Sequence, residues 1–188
     1  MFNNTSTSSS LLKQVHIVSS ASSIHDDDED NYGPQLTLDI NNEESCWTSS
    51  NGRPQSLTYE FYNVINKELY QSINLKRIGI VFQGGFVGQD IDIYTQSSSV
   101  SSQTESLSLS SFTSSTTSSS TSSVESKQIT IPTEWKILTH IEPDDINEEQ
   151  FFDIDAQDIT GIRIVFNNST DFYGRITIYR INFFGELK

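Results

Sequence analysis

Leu57-Thr58-Tyr59-Glu60-Phe61 alternates apolar and polar side chains with a period of two, which predicts a strand with one buried and one wet face. The alternation returns at Ile78, Ile80 and Phe82, in Asp90 to Thr95 and in Gln128 to Ile131, while Trp135 to Ile141 and Gly161 to Phe166 read as further strands. Along 175–184, Ile176 and Ile178 share one parity and Ile181 and Phe183 the other. Such a slip predicts a β-bulge near Tyr179 and Arg180. No long segment carries a helical period; Asn63 to Ser72 and Pro143 to Gln150 are expected to form a turn or two of helix at most. Short strands separated by turn residues predict an all-β fold, a β-sandwich or jelly roll.

Two segments break this pattern. Asp26 to Asp30 are five consecutive acidic residues, whose mutual repulsion predicts a solvated loop. From Gln96 to Ser126, 22 of 31 residues are Ser or Thr, and the few apolar side chains cannot offset the entropy of ordering. That stretch reads as a disordered low-complexity insertion at one end of the sandwich, a position where extra length costs little. The expected organisation is therefore a disordered tail over 1–14 and one domain over 15–188, interrupted by 96–126.

Charge and composition narrow the function. A formal net charge of −14 disfavours direct contact with nucleic acid or anionic lipid, both of which are bound through Lys/Arg clusters. The 11 Lys and Arg residues are scattered, with Lys76-Arg77 the sole adjacent pair. A single cysteine, Cys46, excludes an internal disulfide, and no CxxC spacing offers a zinc site. Met1 to Ser10 lack a basic stretch followed by an apolar run, so the expectation is an intracellular protein of nucleus and cytoplasm, not secreted. His16, His25 and His140 lie in no catalytic sequence context and no GxSxG occurs. Neither catalysis nor a cofactor or metal is expected; the acids between Glu142 and Asp158 read as a solvated face.

Three blocks carry a resemblance. They are Asp39 to Trp47, an acidic turn closing on a tryptophan; Phe82-Gln83-Gly84-Gly85-Phe86; and Asp171-Phe172-Tyr173-Gly174-Arg175, leading to Phe184-Gly185-Glu186. The first resembles the opening motif of galactose-binding-like, or discoidin-like, domains. All three in order resemble the family of nuclear receptor subfamily 2 group C member 2-associated proteins, over about residues 15–95 and 127–188. The resemblance implies a galactose-binding-like jelly roll and an intracellular repressor whose partner is a protein, a nuclear receptor or other transcription factor. It also marks two departures from sugar-binding relatives: Ile40 stands where the acidic turn usually has Gly, and Arg180 stands near where a calcium-binding Glu is often found. A cation there repels calcium held by Asp39 to Ser45.

The candidate partner-binding residues are Gln83, Phe86, Phe172, Tyr173 and Arg175. Each has a structural alternative: Phe86 is equally a core residue, and Asp171 is expected to brace its own turn and pair with Arg175. Trp47 reads as core rather than as a sugar-stacking platform. Beside the co-regulator reading stand a lectin-like carbohydrate or calcium binder and a scaffold subunit of an intracellular complex.

Overall fold

Period-two segments become strands, and their apolar parity faces a shared interior. The computed structural model describes residues 9–101, 129–132 and 134–188. In chain order the strands are β1 (Ser9–Ser10), β2 (His16–Ala21), β3 (Trp47–Thr48), β4 (Gln55–Tyr62), β5 (Ile73–Phe82), β6 (Gly88–Gln96), β7 (Ser98–Ser101), β8 (Ile129–Pro132), β9 (Lys136–Ile141), β10 (Gln150–Ile159), β11 (Gly161–Ser169) and β12 (Thr177–Leu187). One sheet runs β1-β12-β5-β10, with β3 also on β12; the other runs β2-β4-β11-β6-β9. All pairings are antiparallel. The all-β jelly-roll expectation holds.

The facing sheets enclose one core. Ile73, Leu75, Ile78, Ile80, Phe82, Ile178, Ile181 and Phe183 come from one sheet, and Leu57, Tyr59, Phe61, Ile91, Ile93, Ile162, Ile164 and Phe166 from the other, all fully buried. Edge-to-face pairs of Tyr59 and Phe61 on Phe183, at 5.2 and 5.5 Å, join the sheets at one level, and Trp47 on Phe166 at 6.0 Å joins them at another. A short 3-10 helix, Pro34–Leu38, closes the side of the core. Its Thr37 hydroxyl lies 2.9 Å from the Tyr59 hydroxyl and donates to the Pro34 carbonyl, which satisfies a buried polar pair. The expected bulge is present: β12 shifts register against β5 between Ile178 and Arg180, so Tyr179 is the extra residue.

Several expectations are corrected. Residues 9–14 of the supposed tail belong to the sandwich, because β1 pairs with β12 and Leu11 is fully buried. Asp26–Asp30 stay outside the core but are folded, in a 3-10 turn at His25–Asp27 and a single helical turn, α1 (Glu29–Tyr32), capped by the Asp28 carboxylate. Neither Asn63–Ser72 nor Pro143–Gln150 is helical. The acidic stretch reaching Asp158 contains β10, whose Ile154 and Ala156 point inward while Asp153 and Asp155 point outward. Gln96 ends β6, and Ser98–Ser101 pairs with Ile129–Pro132 as a two-stranded ribbon; the rest of the expected insertion, 102–126, lies outside the described residues.

Antiparallel order sorts the connections to two ends. The segments 22–54, 83–87, 142–149 and 170–176 emerge together at one end. The segments 11–15 and 63–72, the β7–β8 ribbon and Lys188 emerge at the other.

Candidate functional site

The loop end is built around Asp171. Its Oδ2 accepts from the backbone N–H of Tyr173 and of Arg175, each at 3.1 Å, and the Arg175 guanidinium closes a bidentate pair on both carboxylate oxygens at 3.2 Å. This pairing holds the Asp171 carboxyl below the usual carboxylate range and the Arg175 pKa above its ordinary value. Gly174, at φ +82, lets the turn reverse against Gly52 and Arg53, where an added Cβ would sit 2.8 Å from the Arg53 side chain. From below, the Gly52 N–H donates to the Tyr173 carbonyl at 2.8 Å, and Arg53 Nη2 donates to the Asp171 carbonyl at 2.7 Å.

The neighbouring loops are fastened to the same base. Val87 and Thr170 exchange two hydrogen bonds of 2.9 Å, linking the 83–87 turn to the 170–176 turn. The Gly84 and Gly85 N–H groups donate to Asn147 at 2.6 Å and to Asp145 at 2.7 Å, which ties in the 142–149 loop. Gln55 accepts from both Ser22 and Ser23, at 2.7 and 2.6 Å, and fixes the entry of the 22–54 segment.

The five candidate residues therefore converge on one end of the sandwich. Phe172 and Tyr173 protrude, 86% and 61% exposed, as an edge-to-face pair 5.3 Å apart. Phe86 is half-buried instead of standing at the tip: the Arg175 guanidinium lies 4.9 Å over its ring and 5.8 Å from that of Tyr173. Gln83 acts through its backbone, donating to the Thr177 carbonyl and accepting from the Phe86 N–H. Trp47 is fully buried, with its indole N–H donated to the Ser23 carbonyl at 3.1 Å, and offers no platform to a ligand.

The acidic turn from Asp39 to Ser45 is a poor match for calcium. Asp39 and Asn42 spend side-chain oxygens on the N–H groups of Asn41 and Glu44, and the Ser45 hydroxyl donates to the Leu36 and Asn42 carbonyls. Arg180 shares a shallow groove with Asn42 and Glu43, placing a cation beside the loop's carboxylates.

One constellation escapes the sequence reading. On the outer face of β6 and β9, His140 Nδ1 lies 3.1 Å from Asp92, and its Nε2 lies 3.0 Å from Glu142 and 3.8 Å from Asp90. Hydrogen bonds to Glu142 and Asp92 raise the His140 pKa and lower those of both carboxylates. The signal was two i, i+2 pairs, Asp90/Asp92 and His140/Glu142, which only the register Asp92↔His140 brings together.

The fold and these three blocks can be set beside known proteins. No family model matches the chain. Curated proteins named Nuclear receptor 2C2-associated protein are similar over nearly their whole length: that of Danio rerio is 29% identical, covering 89% of this chain and 90% of its own, and that of Homo sapiens is 29% identical, covering 90% and 91%. Among solved structures, an F5/8 type C domain from Bacteroides fragilis superposes with a TM-score of 0.57 at 13% identity, covering 90% of this chain and 91% of that one. A family 32 carbohydrate-binding module from Clostridium perfringens NanJ, solved in complex with galactose, gives 0.57 at 12% identity, covering 93% and 97%. At such identities the structural likeness speaks for the fold alone. The chain is thus similar to the Nuclear receptor 2C2-associated proteins over nearly its whole length, and its jelly-roll fold is the one seen in F5/8 type C domains.

Proposed function

We propose that this protein is a non-catalytic protein-binding module, an intracellular transcriptional co-regulator that represses a nuclear-receptor-type transcription factor by docking on it with the Phe172/Tyr173 end. The name of its homologues supports a nuclear-receptor-associated role. The observation that carries the docking surface is the Phe172–Tyr173 pair itself. Two large aromatics are left in water on a turn locked by the Asp171–Arg175 pair and by hydrogen bonds from Gly52 and Arg53. A rigid exposed aromatic surface loses little entropy on binding, which is why Tyr, Trp and Arg dominate binding hot spots.

The test is quantitative affinity purification of the tagged chain from nuclear and cytoplasmic extracts, beside a Phe172→Ser/Tyr173→Ser variant. A stoichiometric transcription factor retained by the parent protein and lost from the variant is the expected result. An unchanged set of partners, or retention of the protein by immobilised galactosides in place of any protein partner, overturns this reading in favour of another surface or of a lectin-like role.

A further inference from the structure

The carboxylates of this molecule fall into two populations. On the outer face of the first sheet they are matched: Asp153 meets Arg77 at 2.6 Å, Asp155 meets Lys76 at 3.0 Å, and Asp158 meets Lys188. At the loop end they far outnumber the cations. The segments 22–54, 142–149 and 170–176 contain eight, five and one Asp or Glu respectively, against Arg53 and Arg175 as their only Lys or Arg.

Both of those arginines are already committed. Arg175 is held bidentate by Asp171, and Arg53 Nη2 is directed at the carbonyls of Asp171, Ser169 and Phe172 at 2.7, 3.5 and 3.5 Å. Among the described residues, the other ion pairs of this end involve histidines: His25 with Asp26, and His140 with Asp90, Asp92 and Glu142. Asp27, Asp30, Asp144 and Glu148 are exposed. They lie on the segments 22–54 and 142–149, which emerge at the same end as Phe172 and Tyr173.

We propose that this end takes a Lys/Arg-rich segment of a protein partner, with Phe172 and Tyr173 stacking against guanidinium or ammonium groups and the surrounding carboxylates pairing with the rest. The proposal rests on the docking surface of the preceding subsection and adds the chemistry of what docks there. Aromatic faces attract cations through their quadrupole, and carboxylates accept bidentate guanidinium pairs, so the two residue types together select basic side chains. An acidic or phosphate-bearing partner would meet like charge. A rim of carboxylates also raises the association rate of a basic segment, and that rate falls with ionic strength.

A general attraction between any acidic protein and any polycation must be separated from a built site. The probe is a fluorescein-labelled 15-residue peptide of alternating Arg/Lys and Gly/Ser, read by anisotropy at about 150 mM salt, where surface fields decay over roughly 8 Å. Two variants change net charge equally: Asp30→Asn/Asp144→Asn/Glu148→Gln at the loop end, and Glu68→Gln/Glu134→Gln/Glu186→Gln at the opposite end. The loop-end variant is expected to weaken binding about tenfold and the opposite-end variant less than about twofold, since screening confines the effect to nearby charges. Phe172→Ser/Tyr173→Ser, which leaves the charge unchanged, is expected to weaken it about tenfold as well. Equal loss from both charge variants, no loss from the aromatic variant, or equal binding of an acidic peptide would overturn the proposal. Partner capture from extract that depends on Phe172 and Tyr173 yet ignores the loop-end charge variant defeats this inference and leaves the proposed function standing. Capture indifferent to the aromatics defeats both.

Discussion

The two ends of the sandwich are made of the same fold and differ in their chemistry. At one end, exposed aromatics stand on a hydrogen-bonded base, and carboxylates far outnumber cations. At the other, Lys13, Lys67 and Lys188 stand beside Glu68, with Lys188 paired to Asp158, and the protruding apolar side chains are Val64, Ile65 and Leu69. The 63–72 loop is held by Asn63, whose Oδ1 accepts from the N–H groups of Ile65 and Asn66 at 2.9 and 3.0 Å, by the Gln71 N–H donated to the Phe61 carbonyl at 2.8 Å, and by Tyr70 stacked on Tyr62 at 4.7 Å. Strands fix where connections begin and end, whereas the loop sequence decides whether an end becomes a surface that recognises something. Single exposed aliphatics are ordinary on a protein surface; an aromatic pair with a braced turn beneath it is not.

The largest effect expected is in the core beneath the loop end. Phe166 is fully buried and packs on Trp47 and Phe82, so Phe166→Ala should cost about 3–5 kcal/mol in chemical denaturation, with both ends lost together. Next, Gly174→Val places a branched Cβ at φ +82 against Arg53 and Gly52, for a cost of about 1–3 kcal/mol. The contrasting change at the other end, Ile65→Ser, removes a side chain 92% exposed and should stay within about 0.5 kcal/mol. If the two substitutions cost the same, the claim that the Gly174 turn is locked against its base while Ile65 stands free in solvent fails.

Asp171→Ala takes the acceptor from two backbone N–H groups and the partner from Arg175, and about 1–2 kcal/mol is expected from those losses. Because pairing lowers the folded pKa of Asp171, its contribution is present above the ordinary carboxylate range and is lost as pH falls through the lowered value. In Asp171→Asn, the acid limb of the stability profile should flatten.

The smallest effect concerns His140. Its raised pKa makes its contribution fully present below the ordinary histidine value and lost as pH rises through the raised one. Asp92 and Glu142, whose pKa values are lowered, contribute above the ordinary carboxylate range and lose that contribution as pH falls. The group is open to solvent, so the effect is slight and shrinks with salt. Unfolding midpoints of His140→Gln against the parent should differ most between the lowered carboxylate and the raised histidine pKa values and converge as pH rises beyond the latter; a constant gap from acid to alkaline pH contradicts the pairing.

How far the sequence revealed this depends on whether a feature is local. Alternation in 57–61, 78–82 and 90–95 identified central strands because one face of each is buried against the facing sheet. The parity slip at Tyr179 foretold a real bulge for the same reason. β10 went unseen since its outward positions are acidic, and density of charge hid the regular inward placement of Ile154 and Ala156. Ser9–Ser10 has no pattern of its own and is a strand only because β12 offers an edge, with Leu11 filling the core beside it. The site was partly legible: Phe172, Tyr173 and Arg175 were found through a motif and a turn composition. That Phe86 lies under the Arg175 guanidinium, and that His140 meets Asp92 and Glu142, depends on distant strands and loops coming together.

The central claim, that the Phe172/Tyr173 end is the docking surface, is tested most directly by photo-crosslinking in cells, with a benzophenone amino acid placed at position 172 or at position 67. Specific protein adducts from position 172, with none of comparable yield from position 67, are predicted. Adducts from position 67 alone, or an identical pattern from both positions, would contradict the account.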